Sequence, residues 1–456
     1  MALLALVLLS TIGLTTLQVS VDSTMRATHQ QEAREAFLSQ PARHPHRMVH
    51  YGHFVFRSPA PLAVFDPGLD PITGQALYLE GHRQNTATFA AVSTGAKLGL
   101  VSSLTPAVVY QVFAPLLIVI LGFGTVARER ASATLIPLLT NGVSGRTLLA
   151  GKALALAAVV AILLLPVLGA GLIALHHGET PLAVFAITVT CGLYLLTWCA
   201  LTVAVSAVFR APHTALAALA TLWIGFTLLM PVLSVGVASQ FSKATGKIDG
   251  DLKMLAELRS IGDGHNAGDP AFARFRADLL SSYGVDRPED LPVNMRGMVA
   301  QYAEEKLTRV LDRHAESRMT EELQQVTITR RFGWLSPAVA FASASRAFSG
   351  TDLETHHRFL RESEALRFDF VQALNRVHSE KIAYGDDIRR SQDSAAEART
   401  RVDPAFWRVL DEFHFEPRSA AERGLMAMPS LLMLLTWLLV PTGLCLWLSR
   451  RLECSP

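Results

Sequence analysis

The stretch Glu129–Lys152, ERASATLIPLLTNGVSGRTLLAGK, is a polar, basic island between two long apolar runs. Residues 107–126 before it contain no charged side chain, and residues 148–175 contain only Lys152, near their start. Each run is long enough for a helix to cross about 30 Å of hydrocarbon. Basic residues in the island outnumber its single acidic residue, so the positive-inside rule places it in the cytoplasm.

The composition predicts a chain that alternates between membrane and water. Of the 456 residues, 50% are hydrophobic and 18% are charged, with a net charge of +2 and a mean hydropathy of +0.30. These values are too apolar for an ordinary soluble protein and too polar for a chain wholly within a membrane. We predict an all-α polytopic membrane protein with six transmembrane helices. The predicted spans are Leu3–Val19, Pro106–Val126, Leu148–Leu175, Leu182–Phe209, Ala215–Val237 and Leu425–Leu448.

The short connections between the spans indicate the orientation. The connection HHGETP after the third span has no Lys or Arg, whereas Arg210 follows the fourth span and Arg450 and Arg451 follow the sixth. Both termini are therefore predicted to be cytoplasmic, and the two long polar segments periplasmic. The predicted division begins with transmembrane helix 1 (1–21), a smaller extracytoplasmic loop of mixed structure (22–105), and transmembrane helices 2–5 with a cytoplasmic loop at 127–147 (106–237). A large, mainly helical extracytoplasmic domain (238–424) lies between helices 5 and 6. Transmembrane helix 6 (425–449) and a cytoplasmic tail (450–456) follow it.

The start of the chain differs from a secretory signal. Its apolar run begins at Ala2, no Lys or Arg occurs before Arg26, and the run ends without a small-residue cleavage site. A signal peptide needs a basic region before the apolar run and such a site after it. We therefore predict that the first apolar run is retained as a membrane span.

The first long polar segment combines Pro and Gly with short aromatic and β-branched runs, which predicts loops with a little strand. It contains four closely spaced histidines, and imidazoles at such spacing can share a metal ion. The sequence shows neither a cysteine nor a fixed helical i, i+4 pair among them, so we predict a hydrated loop and no metal ligand. The four histidines are His44, His46, His50 and His53.

The second long polar segment is predicted to be mainly helical. Thr351 to Glu354, TDLE, is a capping-box pattern, and Ser336 followed by Pro337 is typical of an N-cap and a first helical residue. The low charge after Pro337 suits a helix at the membrane surface or one buried within the outer domain. The helix after the capping box is predicted to bury a stripe at spacings of three and four, made of Phe359, Ser363, Leu366, Phe370, Leu374 and Val377.

The sequence lacks the motifs of a nucleotide-binding protein or an enzyme. Gly145–Lys152 is the nearest match to a phosphate loop, but five residues separate its glycines and Ala153 stands where a Ser or Thr would bind magnesium. We therefore expect no ATP hydrolysis by the chain itself, no catalytic residue and no cofactor. His356 and His357 lack the spacing of a helical zinc protease and are predicted to be one surface and one helix-face residue.

Two further groups of polar residues resemble binding sites only weakly. The turn GDGHNAGDP, residues 262–270, lacks the glutamate that a calcium loop needs and is predicted to be solvated. The span interiors carry no charge away from their ends, which argues against transport driven by an intramembrane carboxylate. The fifth span has polar residues that would suit a path for an uncharged or amphipathic molecule: Thr221, Trp223, Thr227 and Ser234.

The island resembles, position by position, the first cytoplasmic loop of the permease subunits of ABC-2 type transporters. Three positions differ from that pattern: Ala131 replaces an acidic residue, Ala133 a glycine and Gly142 a proline. Gly142 still supplies a turn former. The matching residues are Glu129, Arg130, Ala133, Thr134, Leu135, Leu138, Leu139, Thr140, Val143, Ser144, Arg146, Gly151 and Lys152.

This resemblance implies that the loop docks into a separate ATP-binding cassette ATPase subunit and passes its motion to the membrane helices. It implies a multi-pass exporter permease in the lipid bilayer of the bacterial inner membrane. Such a permease works with a second permease copy or paralogue. Its cargo is unidentified, and no nucleic acid is expected as a partner. Such permeases carry a basic amphipathic helix before the first span, which implies a native N-terminus upstream of Met1. The implied coupling contacts, interface residues rather than catalysts, are Glu129, Arg130, Thr134, Leu135, Arg146 and Lys152.

The second polar segment looks like the extracytoplasmic insertion of one ABC-2 permease subfamily, catalogued as domain of unknown function 3526. The similar motifs are YGVDRPEDLPVNMRG from Tyr283, FGWLSPAVAF from Phe332 and GTDLETHHRFLRESEALR from Gly350, with YGHFVFRSPAPLA from Tyr51 in the first segment. The alternative from another class is a membrane-anchored sensory or assembly factor whose outer domain binds a protein. Co-purification with an ATPase discriminates between the two.

Overall fold

Helices make up most of the computed structural model, which describes residues 2–88, 104–242, 246–262 and 269–454. It contains a π-helical segment, Ile224–Leu229, and two antiparallel strands, β1 (His53–Phe56) and β2 (Ala76–Leu79), in which His53 lies opposite Leu79. In chain order the α-helices are α1 (Ala2–Leu38), α2 (Pro45–Tyr51), α3 (Asp70–Thr73), α4 (Pro106–Gly122), α5 (Ala127–Ala131), α6 (Leu135–Thr140), α7 (Gly145–His176), α8 (Pro181–Val208), α9 (Pro212–Trp223), α10 (Met230–Phe241), α11 (Lys247–Ile261), α12 (Ala273–Tyr283), α13 (Met295–Arg331), α14 (Pro337–Ser349), α15 (Leu353–Lys381), α16 (Tyr384–Arg389), α17 (Ser394–Arg399) and α18 (Ala420–Cys454).

Among the described residues, six helical stretches are long and apolar enough to cross a membrane, which confirms the predicted number of candidate spans. Large apolar side chains such as Leu3, Leu172 and Val232 are exposed on them. Soluble proteins rarely expose so much apolar surface, so these faces fit contact with lipid. The stretches are Leu3–Leu38, Pro106–Ala131, Gly145–His176, Pro181–Val208, Pro212–Phe241 and Ala420–Glu453.

The first and last spans belong to helices that continue past the predicted apolar runs. α1 continues past Val19 through polar residues to Leu38, whereas the sequence predicted a loop from residue 22 onwards. This extension contains neither Gly nor Pro, and an ion pair of 3.1 Å joins Arg26 to Asp22 at i, i+4 spacing. α18 also begins before its predicted boundary, at Ala420.

The fifth span is not one regular helix. α9 passes into the π-helical segment before α10, whose second residue is Pro231. Proline has no N–H to donate to the preceding turn, and π adjustments accommodate the lost bond in membrane helices. Trp223 Nε1 donates to a carbonyl of α4 at 2.8 Å, and the hydroxyls of Thr221, Thr227 and Ser234 donate to carbonyls of their own helical stretch. Each of these polar groups therefore has an intramolecular hydrogen-bond partner.

Residues from both long polar segments share one core, here named the polar domain (residues 37–88 and 269–415). Phe37 and Leu77 from the first segment belong to the same buried cluster as Phe370 from the second. The small sheet lies in the first segment, and the described part of the second is helical, as the sequence predicted. The two segments consequently stabilise each other although 180 residues or more of chain, including four spans, lie between them.

The predicted helix starts in the second segment are close to those observed. Ser336 caps α14 by accepting a hydrogen bond from Val339 N at 3.3 Å. The N-cap of α15 is Asp352 instead of Thr351, and its carboxylate accepts from Thr355 N at 2.8 Å. Of the predicted stripe on α15, Phe359, Ser363, Phe370, Leu374 and Val377 are buried and Leu366 is partly buried.

Two predictions for α14 and α15 need correction. Phe341 of α14 stacks on Tyr194 of α8 with ring centroids 4.6 Å apart, so α14 packs against the membrane helices. His356 and His357 are both buried, and the predicted surface position for one of them is wrong. His357 Nε2 lies 2.6 Å from a carboxylate oxygen of Glu322 on α13, a partner that local spacing does not reveal.

Candidate functional site

The predicted cytoplasmic loop, residues 127–147, folds as two short helices with tight turns. α5 and α6 are separated by Ala133, whose φ of 58° lies in the left-handed region that favours glycine. After α6, Gly142 has a φ of 88°, a conformation that a side chain would strain. Ser144 then caps α7 by accepting a hydrogen bond from Thr147 N at 3.1 Å.

Three of the six predicted contact residues meet in this loop. Lys152 Nζ lies 2.8 Å from Glu129 Oε1, and Thr134 Oγ1 donates to the other carboxylate oxygen. Lys152 and Glu129 are partly exposed, so the ion pair stabilises the loop by about 1 kcal/mol or less. Its main effect is geometric, because it joins α5 to the second turn of α7.

Arg130 and Leu135 hold the loop against the rest of the chain. Arg130 Nη1 donates to Ala207 O at 3.0 Å and to Phe209 O at 3.3 Å, at the C-terminal end of α8. A cation there also interacts favourably with the helix dipole. Leu135 is buried. These contacts give both side chains a role inside the chain that the sequence prediction did not include.

The exposed residues of the loop include Ile136, Pro137, Thr140 and Arg146, and these four are here named the loop surface. Arg146 was predicted, whereas the other three were not. Ile136 is 52% exposed on α6, although it is a large apolar residue. The sequence prediction relied on charge and on the family pattern. The helical spacing of α6 was the signal that could have identified this face, because Leu135, Leu138 and Leu139 lie on the opposite, buried or partly buried side of the helix.

The loop is attached to the ends of four membrane helices. It follows α4 and leads directly into α7, and Ala127 N donates to Ser206 Oγ of α8 at 3.2 Å. Gly145 N donates to Glu453 Oε1 of α18 at 2.8 Å. A Cβ at Gly145 would lie 2.2 Å from Ser449 O, so the close approach of α18 requires glycine here. Displacement of the loop would therefore act on α4, α7, α8 and α18 together.

The four histidines of the first polar segment do not form a hydrated loop, and that prediction is wrong. His44 and His53 are buried. His46 and His50 are four residues apart on α2, a helix that the sequence analysis did not predict. The signal was Pro45, which follows His44 as a first helical residue follows an N-cap. His44 Nδ1 indeed accepts a hydrogen bond from His46 N at 3.1 Å.

A second buried group surrounds Asp387 on α16. His378 Nε2 and His44 Nε2 lie 2.7 and 3.3 Å from its carboxylate oxygens, and Arg296 and Arg390 approach to 3.6 and 3.3 Å. Burial raises the pKa of Asp387, but the hydrogen bonds from His378 and His44 outweigh it and hold the pKa well below its usual range. The two guanidinium groups disfavour a bound cation, so this group is an ion-pair network between α15, α16 and the first segment.

At the edge of the polar domain, an open cleft of about 930 Å³ lies between α11, α13 and α15. Its lining mixes both charges and so does not select one class of ligand. In the predicted solvated turn, Asp263, His265 and Asn266 lie outside the described residues, and Asp269 caps a short turn by accepting from Ala271 N at 2.9 Å. Charged residues of the cleft include Lys253, Arg309, Arg361, Glu316 and Glu364.

Comparison with known proteins identifies a catalogued domain in the second polar segment. Residues 251–416 match the family model DUF3526, a domain of unknown function. The match confirms the predicted domain over these residues, from α11 to the segment before α18. No curated protein and no solved structure matches the chain. The match names no activity, substrate or partner.

Proposed function

We propose that this protein is the membrane-spanning permease subunit of an ABC-2 type transporter, an exporter of the bacterial inner membrane energised by a separate ATP-binding cassette ATPase. The observation that carries the proposal is the attachment of the exposed loop 127–147 to α4, α7, α8 and α18. A protein that docks on the loop surface would move the ends of four candidate spans at once. The sequence contains no phosphate loop of its own, so ATP hydrolysis falls to the partner.

The backbone of the loop supports the resemblance to ABC-2 permeases. Ala133 stands at a glycine position of that pattern, and its φ of 58° is one that glycine adopts without strain. Gly142 stands at a proline position, and its φ of 88° is one that proline cannot adopt, so the turn departs from the pattern there. Glu129 and Lys152, which both match the pattern, pair with each other at 2.8 Å. Three positions, Ala133, Glu129 and Lys152, thus have a physical reason in this fold.

For the orientation, we expect a cysteine at Asn141 to resist an impermeant thiol reagent applied to intact spheroplasts, while cysteines at His177 and Ser394 react. All three positions are exposed, and the background lacks the four native cysteines. His177 is preferred to Gly178, because the φ of 91° at Gly178 would strain a cysteine. Labelling of Asn141→Cys from outside would reverse the proposed orientation.

The function is tested by isolating the chain with its partner. Purified from native membranes, the protein should bring an ATP-binding cassette ATPase with it and stimulate its turnover in reconstituted vesicles. The chain alone should show no turnover. Turnover that persists after removal of the ATPase contradicts the proposal. Recovery of a periplasmic protein without any ATPase also contradicts it, and favours the membrane-anchored sensory or assembly factor.

A further inference from the structure

Three histidines of the polar domain bring ring nitrogens close together. One ring nitrogen from each of His46, His50 and His82 lies within 4.8 Å of those of the other two. His46 Nε2 and His50 Nε2 are 3.2 Å apart. Two nitrogens bound to a tetrahedral Zn²⁺ at roughly 2.0–2.1 Å are about 3.3 Å from each other, so this pair already has the spacing of metal ligands.

Helix α2 fixes the first two ligands. His46 and His50 are four residues apart and therefore lie on one face of the helix. Met48 and Val49 are buried in the core of the polar domain and anchor the helix. His46 is partly buried and His50 is exposed, so the point where the rings meet is accessible to solvent.

His82 reaches this point from a turn after β2. Its φ of 65° is in the left-handed region, which a residue with a side chain adopts only at a cost. Gly81 N donates to Val49 O at 3.0 Å, and a Cβ at Gly81 would lie 2.2 Å from Val49 Cγ1. The glycine therefore allows the turn to lie against α2. The rings of His82 and His50 are then 5.3 Å apart between centroids.

A buried carboxylate lies behind His82. Glu304 Oε2 on α13 is 2.8 Å from His82 Nδ1. Arg367 Nη1 donates a hydrogen bond to Oε1 of the same carboxylate, and the positive charge of this guanidinium favours the ionised form of Glu304. The ionised carboxylate keeps the His82 proton on Nδ1 and leaves the lone pair on Nε2. Carboxylates in this position orient metal-binding imidazoles and set their tautomer.

We propose that His46, His50 and His82 bind one divalent transition-metal ion, with Glu304 as the carboxylate that orients His82. Three neutral imidazoles suit Zn²⁺ best, in an open site whose fourth position takes water or another ligand. The site lies in the polar domain and does not depend on the proposed transport function.

A hydrogen bond between the two imidazoles is the alternative explanation of the distance between His46 and His50. It accounts for that pair alone. It does not account for the convergence of His82 on the same point or for the strained turn that places it there. The two explanations differ in a measurable way, because a hydrogen-bonded pair needs no metal.

The test uses the full chain in detergent, purified without a polyhistidine tag and stripped with EDTA. Titration with Zn²⁺ by calorimetry should show one saturable site per chain, and Co²⁺ should give the visible absorption of tetrahedral coordination. His50→Ala and His82→Asn should each weaken Zn²⁺ binding at least about tenfold. Asparagine is chosen because it tolerates the left-handed backbone. The control is His29→Ala, an exposed histidine on α1 outside the cluster, which should bind like the wild type.

Lack of saturable Zn²⁺ binding by the wild type would overturn the proposal. So would wild-type affinity in both His50→Ala and His82→Asn, or an equal loss in His29→Ala. A fourth variant, Glu304→Gln, keeps the three ligands but removes the anionic acceptor, and should weaken binding roughly 10–100-fold. Wild-type affinity in that variant, with the fold intact, would refute the role assigned to Glu304.

Discussion

The Arg146→Glu variant is expected to insert and fold like the wild type but to bind its ATPase partner roughly 30-fold more weakly. Arg146 is exposed at the start of α7, where a reversed surface charge changes the stability of the fold by about 1 kcal/mol at most. At an interface that excludes water the same reversal costs about 2 kcal/mol or more, and each 1.4 kcal/mol is about tenfold in affinity. Stimulated ATPase activity should fall with docking.

The measurement is co-purification and ATPase activity of the reconstituted complex. Arg210→Glu is the matched control, because Arg210 is an exposed arginine beside the C-terminal end of α8, where Arg130 contacts Phe209. It changes the net charge equally and lies outside the loop surface. Glu129→Arg is a less specific variant, because it also places two cations together at Lys152. Wild-type assembly and activity in Arg146→Glu would refute the docking role of the loop surface.

Replacement of Arg423 by Met should destabilise the protein by about 3–5 kcal/mol, because it leaves a buried carboxylate without its partner. Arg423 Nη1 and Nη2 lie 2.9 and 2.6 Å from the two oxygens of Glu179, and Nη1 also donates to Phe348 O at 2.6 Å. The two side chains are 4% and 3% exposed. The guanidinium therefore joins α18, the connection between α7 and α8, and the end of α14.

The free energy of unfolding in mixed micelles measures this effect. The double variant Arg423→Met with Glu179→Leu should recover most of the loss, because it removes both buried charges. Arg361→Met is the matched control: Arg361 binds Glu316 with the same two-bond geometry, but the pair is 41% and 50% exposed and is worth about 1 kcal/mol or less. An equal cost for the buried and the exposed pair would show that burial does not decide the effect.

The spans and several helix starts could be predicted from the sequence because local rules decide them. An apolar run of about twenty residues is enough to recognise a span. Ser336 and Pro337 announce the start of α14 through side-chain capping and a fixed φ, without help from the rest of the chain. α1 was predicted too short for the same reason, because only its apolar half carries the membrane signal.

The charged and histidine sites could not be predicted, because they join residues that are distant in sequence. His82 lies beside α2 because β2 pairs with β1, and Glu304 contacts His82 from α13. Arg367 lies on α15 next to the predicted apolar stripe and is buried between Glu304 and Glu364. Hydrophobicity alone assigns an arginine to the surface. Only the tertiary arrangement of its partners makes burial tolerable.

The length of α1 has a mechanical consequence. Its 37 residues form one helix of about 55 Å, of which about 30 Å suffices to cross the hydrocarbon. The remainder, roughly 25 Å, carries Phe37 into the core that also holds α2 and the small sheet. α1 thus joins a candidate span to the polar domain as one continuous helix. A change of about 5° in its tilt, pivoting at the N-terminal end, would move Phe37 by roughly 4–5 Å.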